Sequence, residues 1–241
     1  CRRQLDASLH VSRERLLRQA LLICLLIDAN LRYPRVVSSV AEQIRNRAKV
    51  DLSLPEGVAP AGELARFKRY LKNESALLKH MHRSGGLGRE VCFARAVVID
   101  SIIQHLFEAA LQIATTKNFR KRPVMTVIAV GGYGRAELNP QSDIDIQFLC
   151  EDRLLSGKNP DEYLQSVIDT VLYSLWDLGL KIGHSVRRVS DCVKEANKEM
   201  QSKTALIESR LVAGDNILFE EMKRQVALNM GYELVDHRLE L

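Results

Sequence analysis

Several features are scarce in this 241-residue sequence, and each scarcity removes a class of protein. No apolar run approaches the ~20 residues that a membrane-spanning helix needs. The longest, residues 20–27, lies close to Arg13, Arg15, Arg18 and Asp28 and is expected to be a buried helix. The five cysteines (Cys1, Cys24, Cys92, Cys150, Cys192) are scattered, odd in number and without metal-ligand spacing. Neither a disulfide framework nor a structural zinc site is expected from them, and reduced thiols in a cytoplasm are. No secretory pattern opens the chain. Aromatic residues are only 5% of the total and are not interleaved with the basic ones, so no stacking groove for nucleic acid is predicted. Internal repeats and low-complexity tracts are absent. A chain that opens on Cys1 rather than methionine is expected to be either a fragment of a longer protein or a sequence whose true start is missing.

What is present is a 46% hydrophobic sequence, enough for one sizeable core or two smaller ones. The formal charge of +5 is unevenly placed: residues 1–100 hold 18 basic and 10 acidic groups, and the remainder 17 and 20. The basic half alternates its charges with apolar residues at helical spacing, which predicts solvated helix surfaces rather than a polyanion site. Amphipathic spacing predicts helices over 12–31 and 36–49, broken at Tyr33-Pro34. Pro55, Gly57, Pro60 and Gly62 mark a linker over 51–62, and a helix resumes over 63–81. The cluster Ser84 to Gly88 follows no strand and precedes no Gly-Lys-Ser/Thr, so it predicts a helix connection rather than a phosphate loop. From Ala94 to Ile113, the stripe of Val98, Ile99, Ile102, Ile103, Leu106, Phe107 and Ala110 predicts a long core helix.

The pattern then changes to strands. Val124 to Val130 is almost continuously apolar and ends at Gly131-Gly132, as a strand buried on both faces would. Asp143 to Cys150 alternates, which predicts a half-buried strand with Ile144, Ile146 and Phe148 inside. Residues 163–178 read as a helix and 180–189 as a third strand. Residues 190–228 read as two or three helices, with caps at Ser190 and Asp215. The predicted division is a helical segment and linker over 1–62, a sheet-bearing domain over 63–189, and a helical segment over 190–241.

Carboxylates at i and i+2 of a strand share a face, so Asp143 and Asp145 stand side by side. Like charges that close resist joint ionisation unless a cation neutralises them, and hard oxygen donors select Mg²⁺ or Mn²⁺. Asp-Ile-Asp alone also describes two ordinary solvent-facing aspartates. The glycine pair eleven residues earlier adds weight, because positions without side chains let backbone amides approach a polyphosphate.

Strand, Gly-Gly, a loop of about ten residues and Ser-Asp-Ile-Asp opening a second strand resembles the DNA polymerase β nucleotidyltransferase superfamily. The full stretch from Val130 to Ile146 is similar to the signature of the bacterial bifunctional protein-PII uridylyltransferase/uridylyl-removing enzymes. Gly183-His-Ser-Val-Arg187 and Leu206-Ile-Glu-Ser-Arg-Leu211, followed by Gly214-Asp215, resemble that family too, and a looser similarity covers 63–226. The resemblance implies an α+β fold: a polymerase β-like mixed sheet flanked by helices, with helical N-terminal and C-terminal segments. It also implies UMP transfer from UTP to a tyrosine of the PII signalling protein in the cytoplasm. Asp143 and Asp145 would be catalytic metal ligands for Mg²⁺ or Mn²⁺, and Gly131, Gly132 and Ser142 would cradle the triphosphate.

Other roles stay open at this stage. Arg135 either neutralises phosphate or pairs with Glu137; Tyr133 either stacks on the base or, as a loop aromatic more often does, packs inside. His184 is either a proton acceptor or phosphate contact, or a structural histidine. Superfamily members often carry a third carboxylate on a following strand, and Gly183-His184-Ser185 holds none. Glu208 is the candidate replacement, as metal ligand or base, against the alternative that it and Arg210 tie a helix to the sheet through ion pairs. The family's His-Asp phosphohydrolase and ACT domains do not fit in 241 residues, and Asp236-His237 is in the wrong order for such a dyad. Competing readings are an adenylyltransferase or CBS-linked nucleotidyltransferase with another acceptor, and a nucleotide-binding regulatory module without catalysis. A membrane or nucleic-acid partner is not expected.

Overall fold

A computed structural model describes residues 35–116, 123–156 and 161–236, the side chains of 35–38 and 229–236 excepted. The helix expected over 12–31 lies outside the described residues. Before the sheet come α1 (Arg35–Asp51), α2 (Leu64–Arg83) and α3 (Gly88–Thr116), with a short 3-10 turn at Pro60–Glu63. The sheet begins with β1 (Met125–Ala129), followed by the single-turn α4 (Gly131–Gly134) and β2 (Ile144–Cys150). Helix α5 (Glu162–Asp177) crosses to β3 (Ile182–Arg187). The chain continues through α6 (Val189–Lys198), α7 (Met200–Ile207), β4 (Arg210–Gly214) and α8 (Asn216–Asp236).

The four strands form one mixed sheet in the order β3-β2-β1-β4. β1 is antiparallel to β2 and β4, and β2 is parallel to β3. This is the α+β architecture expected. One face carries Met125, Val127, Ala129, Ile146 and Phe148 and packs against α1, α2, α3 and α5 in the larger core. The opposite face carries Ile128 and Leu149, which join Cys192, Leu206, Phe219 and Met222 in a second core under α6, α7 and α8. Burying each such aliphatic side chain is worth about 1.5–3 kcal/mol, so the helices on both faces are held mainly by apolar area.

Helix α3 is the hub of the larger core: Ile99, Ile102, Ile103 and Leu106 are fully buried, as the apolar stripe predicted. By length and composition it could cross a membrane, but 67% of its most apolar stretch is buried inside the protein. Between α1 and α2, Arg47 reaches the 2%-exposed Glu74 with two hydrogen bonds, 2.5 and 2.9 Å, so this acid enters the core already paired.

Three expectations are corrected. β2 is buried on both faces beyond Asp145, not half-buried: Gln147 and Leu149 are covered by the second helical layer. Gln147 tolerates this because its amide donates to Cys192 Sγ (3.0 Å) and accepts from Ser185 Oγ (3.4 Å). The stretch expected to be wholly helical after residue 190 contains β4, paired with β1 through a register shift at Val127/Ile128. Finally, α6 starts two residues earlier than a Ser190 cap implies, with Arg188 as its N-cap and the Arg188 amide donating to Asp191. Asp215 does cap α8, its Oδ1 accepting from Leu218 N at 2.7 Å.

Candidate functional site

Asp143, the residue just before β2, and Asp145, its second residue, are exposed, while Ile144 and Ile146 between and beyond them are 1% exposed. The alternation predicted from sequence therefore holds where it matters. The Asp145 carbonyl accepts from Val130 N (3.1 Å), so the glycine turn starts directly beside it. Its carboxylate is bracketed by glycines. A Cβ on Gly131 would lie 3.8 Å from Oδ2, and one on Gly183 of β3 would lie only 2.3 Å from Oδ1. Position 183 must lack a side chain for Asp145 to keep this place. Burial, and then the charge of Asp143, push the Asp145 carboxyl above the usual carboxylate range. The Asp143 contribution is repulsion between like charges, which a bound cation would relieve.

The turn itself is tight. Gly134 N donates to Val130 O (3.1 Å), Arg135 N to Gly131 O (3.2 Å) and Glu137 N to Gly132 O (3.0 Å). Gly131 has φ +60°, a conformation that side chains oppose, and a Cβ on Gly134 would stand 2.8 Å from Glu208 O and 3.0 Å from Ala129 O. Gly132 is different. An added Cβ would make ordinary contacts with Glu137 O (3.7 Å) and Arg135 Nη2 (3.8 Å), so the fold accepts a side chain there without a clash. Gly132→Val is accordingly expected to fold normally by circular dichroism and to raise the nucleotide dissociation constant about tenfold or more, roughly 1.4 kcal/mol. Unchanged affinity by calorimetry would remove Gly132 from the phosphate cradle. Ser142 is exposed, and its hydroxyl and amide both donate to Asn139 O, at 3.0 and 3.2 Å, closing the loop ahead of Asp143.

Arg135 lies against Gly132, its Nη2 3.8 Å from where a Cβ would be, and is ion-paired twice: Nε to Glu137 (3.0 Å) and Nη1 to Glu208 (2.6 Å). Both carboxylates hold its pKa above the ordinary arginine value. Glu208 is not inside a helix. It follows the last residue of α7, and Arg210 two residues on opens β4, so neither residue lies on a helix that ion pairs could tie to the sheet. Arg210 instead turns inward, where its guanidinium binds Asp100 of α3 at 2.7 and 3.0 Å and Tyr133 O at 3.3 Å. Tyr133 is 1% exposed and donates its hydroxyl to Asp100 Oδ1 (2.6 Å), which makes it a packed aromatic rather than a stacking platform. Burial, with the Asp100 charge second, raises its pKa well above the ordinary phenol value.

Sequence reasoning missed the Asp100–Arg210 pair. The available signal was Asp100 itself, a charge in the middle of an otherwise apolar stripe. His184 is placed away from the carboxylates. It pairs in register with Ile146 while Gly183 pairs with Asp145, so it stands on the opposite face, its ring 5.9 Å from that of Trp176 on α5.

Among the described residues no third His, Cys, Asp or Glu joins the pair in a metal-holding cluster. Two carboxylates nevertheless fit Mg²⁺, which is typically held by one or two of them together with substrate phosphates. Gly183, by lacking a Cβ, gives the Asp145 carboxylate the space it occupies beside Asp143.

This geometry can be set beside known proteins. Residues 11–166, which include the glycine turn and both aspartates, match the family model described as glutamate-ammonia ligase adenylyltransferase. The chain is 32% identical over 189 residues to the bifunctional uridylyltransferase/uridylyl-removing enzyme of Rhodopseudomonas palustris, covering 78% of this chain and 19% of that one. It is 33% identical to the enzyme of the same name from Azospirillum brasilense, covering 73% and 19% of the two chains. With that of Zymomonas mobilis it shares 33% identity, covering 86% and 22%. The chain thus spans about a fifth of the length of these curated relatives. An α+β fold with a mixed sheet, a glycine turn against a strand-borne aspartate pair and these matches together place the chain in the glutamate-ammonia ligase adenylyltransferase family of nucleotidyltransferases, as a homologue of the bifunctional uridylyltransferase/uridylyl-removing enzymes.

Proposed function

We propose that this chain transfers UMP from UTP to a tyrosine of a PII-type signalling protein and releases pyrophosphate. The observation that carries the reading is convergence. Three stretches separated in sequence meet at one place: Gly183 against the Asp145 carboxylate, Glu208 O against Gly134, and the Glu208 carboxylate on Arg135 beside Gly132. These are the stretches whose sequence resembles the uridylyltransferases.

In this reading Asp143 and Asp145 hold Mg²⁺ or Mn²⁺, which when bound neutralises phosphate charge and orients the triphosphate. The open amide side of Gly131 and Gly132 receives the phosphates, with Ser142 fixing the loop that leads to Asp143. Glu208 acts by anchoring Arg135. Its carboxylate is already bonded at 2.6 Å, which favours the ion-pair alternative over a role as metal ligand or base. The bond made is from the tyrosine oxygen to the α-phosphorus, and the bond broken is from that phosphorus to the bridging oxygen of pyrophosphate.

A second reading has its own support, because the matching family model is that of an adenylyltransferase. The test is a crossed assay: radiolabelled UTP or ATP, each with PII or with glutamine synthetase as acceptor and with Mg²⁺ present. Label passing from UTP to PII alone is the expected result. Transfer from ATP to glutamine synthetase alone would establish the second reading, and no transfer or pyrophosphate release in any arm would leave a nucleotide-binding module.

A further inference from the structure

The sheet order gives the carboxylate pair two unlike sides. The glycine turn extends from β1 on one side of β2, and β3 flanks the other. Asp145 faces both, with Oδ2 toward Gly131 and Oδ1 toward Gly183. In phosphoryl transfer the attacking and leaving oxygens lie roughly in line, on opposite sides of the phosphorus. A triphosphate anchored at the glycine turn sends pyrophosphate out on the β1 side. The acceptor oxygen then arrives over β3.

The strand β3 itself carries no carboxylate. Counting by twos from Gly183, the residues sharing the face of Asp145 are Lys181, Gly183, Ser185 and Arg187. The Ser185 hydroxyl is turned toward Gln147 and Arg187 lies 4.0 Å from Glu195, while Gly183 has no side chain. Lys181 precedes the Ile144–Ile182 pair by one residue, and its carbonyl accepts from Ile144 N (2.9 Å), which sets it level with Asp143. It is exposed and makes no ion pair with another described residue. The other arginine next to the site, Arg135, is already bound by Glu137 and Glu208.

We infer that Lys181 is a catalytic residue of the acceptor side: its ammonium draws in the acceptor hydroxyl and stabilises the oxyanion that forms as the proton leaves. This rests on the nucleotidyl-transfer reading and assigns one residue within it. A carboxylate at that position would serve as a base for a weakly acidic alcohol but would repel an acceptor anion. A phenol, with a pKa of about 10, needs less basic help and gains more from a nearby positive charge. The step balances without further groups: the acceptor proton passes to solvent, the oxygen's electron pair forms the bond to the α-phosphorus, and pyrophosphate departs with the electrons of the broken bond.

The test uses Lys181→Gln and Lys181→Arg in the 241-residue chain, both at an exposed position. Lys181→Gln is expected to lower kcat for transfer to PII by about 10²-fold, in the range of losing one oxyanion partner, with KM for UTP unchanged. Lys181→Arg should recover most of that loss because it restores the charge. A readout independent of turnover follows from the same placement: removing a like charge beside Asp143 should tighten Mn²⁺ binding to the nucleotide-free protein by roughly two- to fivefold. A kcat within twofold of wild type would overturn the inference, as would a fall in Mg²⁺–UTP affinity by calorimetry, which would put Lys181 on the phosphate side. If the wild-type chain transfers nothing to PII, the parent reading fails by itself, and the Mn²⁺ measurement still decides whether Lys181 lies at the carboxylates.

Discussion

Replacing Asp143 and Asp145 together by asparagine is expected to reduce nucleotidyl transfer by at least ~10³-fold, about 4 kcal/mol of barrier, and to leave the fold intact. Asparagine keeps the shape and much of the hydrogen bonding, so what disappears is the charge that would hold a divalent cation at the end of β2. The stability of the metal-free protein gives a second, opposite sign. Asp145 has its carboxyl raised first by burial and then by Asp143. A carboxylate whose folded pKa exceeds its unfolded value costs stability once pH rises above the unfolded value, and the cost is relieved by protonation. The double variant should therefore melt at an equal or slightly higher temperature at neutral pH without metal, and it should lose the stabilisation that Mn²⁺ gives the wild type. Transfer within tenfold of wild type, measured with labelled UTP, would refute the metal-site assignment.

Arg210→Met is expected to destabilise the protein by about 3 kcal/mol, in the range for removing one partner of a buried ion pair. Arg210 spans β4, α3 and the glycine turn, bonding Asp100 twice and Tyr133 O once. Burial works against its charge, but Asp100 and Tyr133 outweigh it and hold the guanidinium firmly protonated. Without it, Asp100 keeps only the Tyr133 hydroxyl as a described hydrogen-bond partner, in a site where its side chain is 12% exposed. For a domain of this size that loss corresponds to roughly 6–12 °C in melting temperature. Pairing the change with Asp100→Asn should recover part of it, because no unpaired charge is left behind. A loss below about 1 kcal/mol by urea denaturation would show that the pair does not tie the turn to the sheet. Activity should fall along with stability, since Tyr133 lies between Gly132 and Gly134.

Local pattern determined the helices before the sheet that could be checked, the two central strands and the placing of the aspartate pair beside the glycine turn. The apolar stripe of α3, the break at Gly131-Gly132 and the same-face spacing of Asp143 and Asp145 depend on residues near one another in the chain, so periodicity and turn chemistry reveal them. The Arg135–Glu137 pair was legible as one of two alternatives for the same reason, being only two residues apart.

Tertiary structure decided what lies far apart. Residues 210–214 form too short an apolar run for periodicity to separate strand from helix, and they become β4 because β1 offers an unpaired edge. That choice ends α7 at Ile207, which brings Glu208 to Arg135, 73 residues away, and Arg210 to Asp100, 110 residues away. Gln147 is buried because a second helical layer covers a face that alternation alone assigned to solvent. The parallel register of β3 sends His184 to one face and puts Gly183 at the Asp145 carboxylate, with the Lys181 backbone level with Asp143. A one-residue slip would exchange them, and that register is set by strand pairing and core packing across the sheet rather than by any residue within the Gly183–Arg187 stretch.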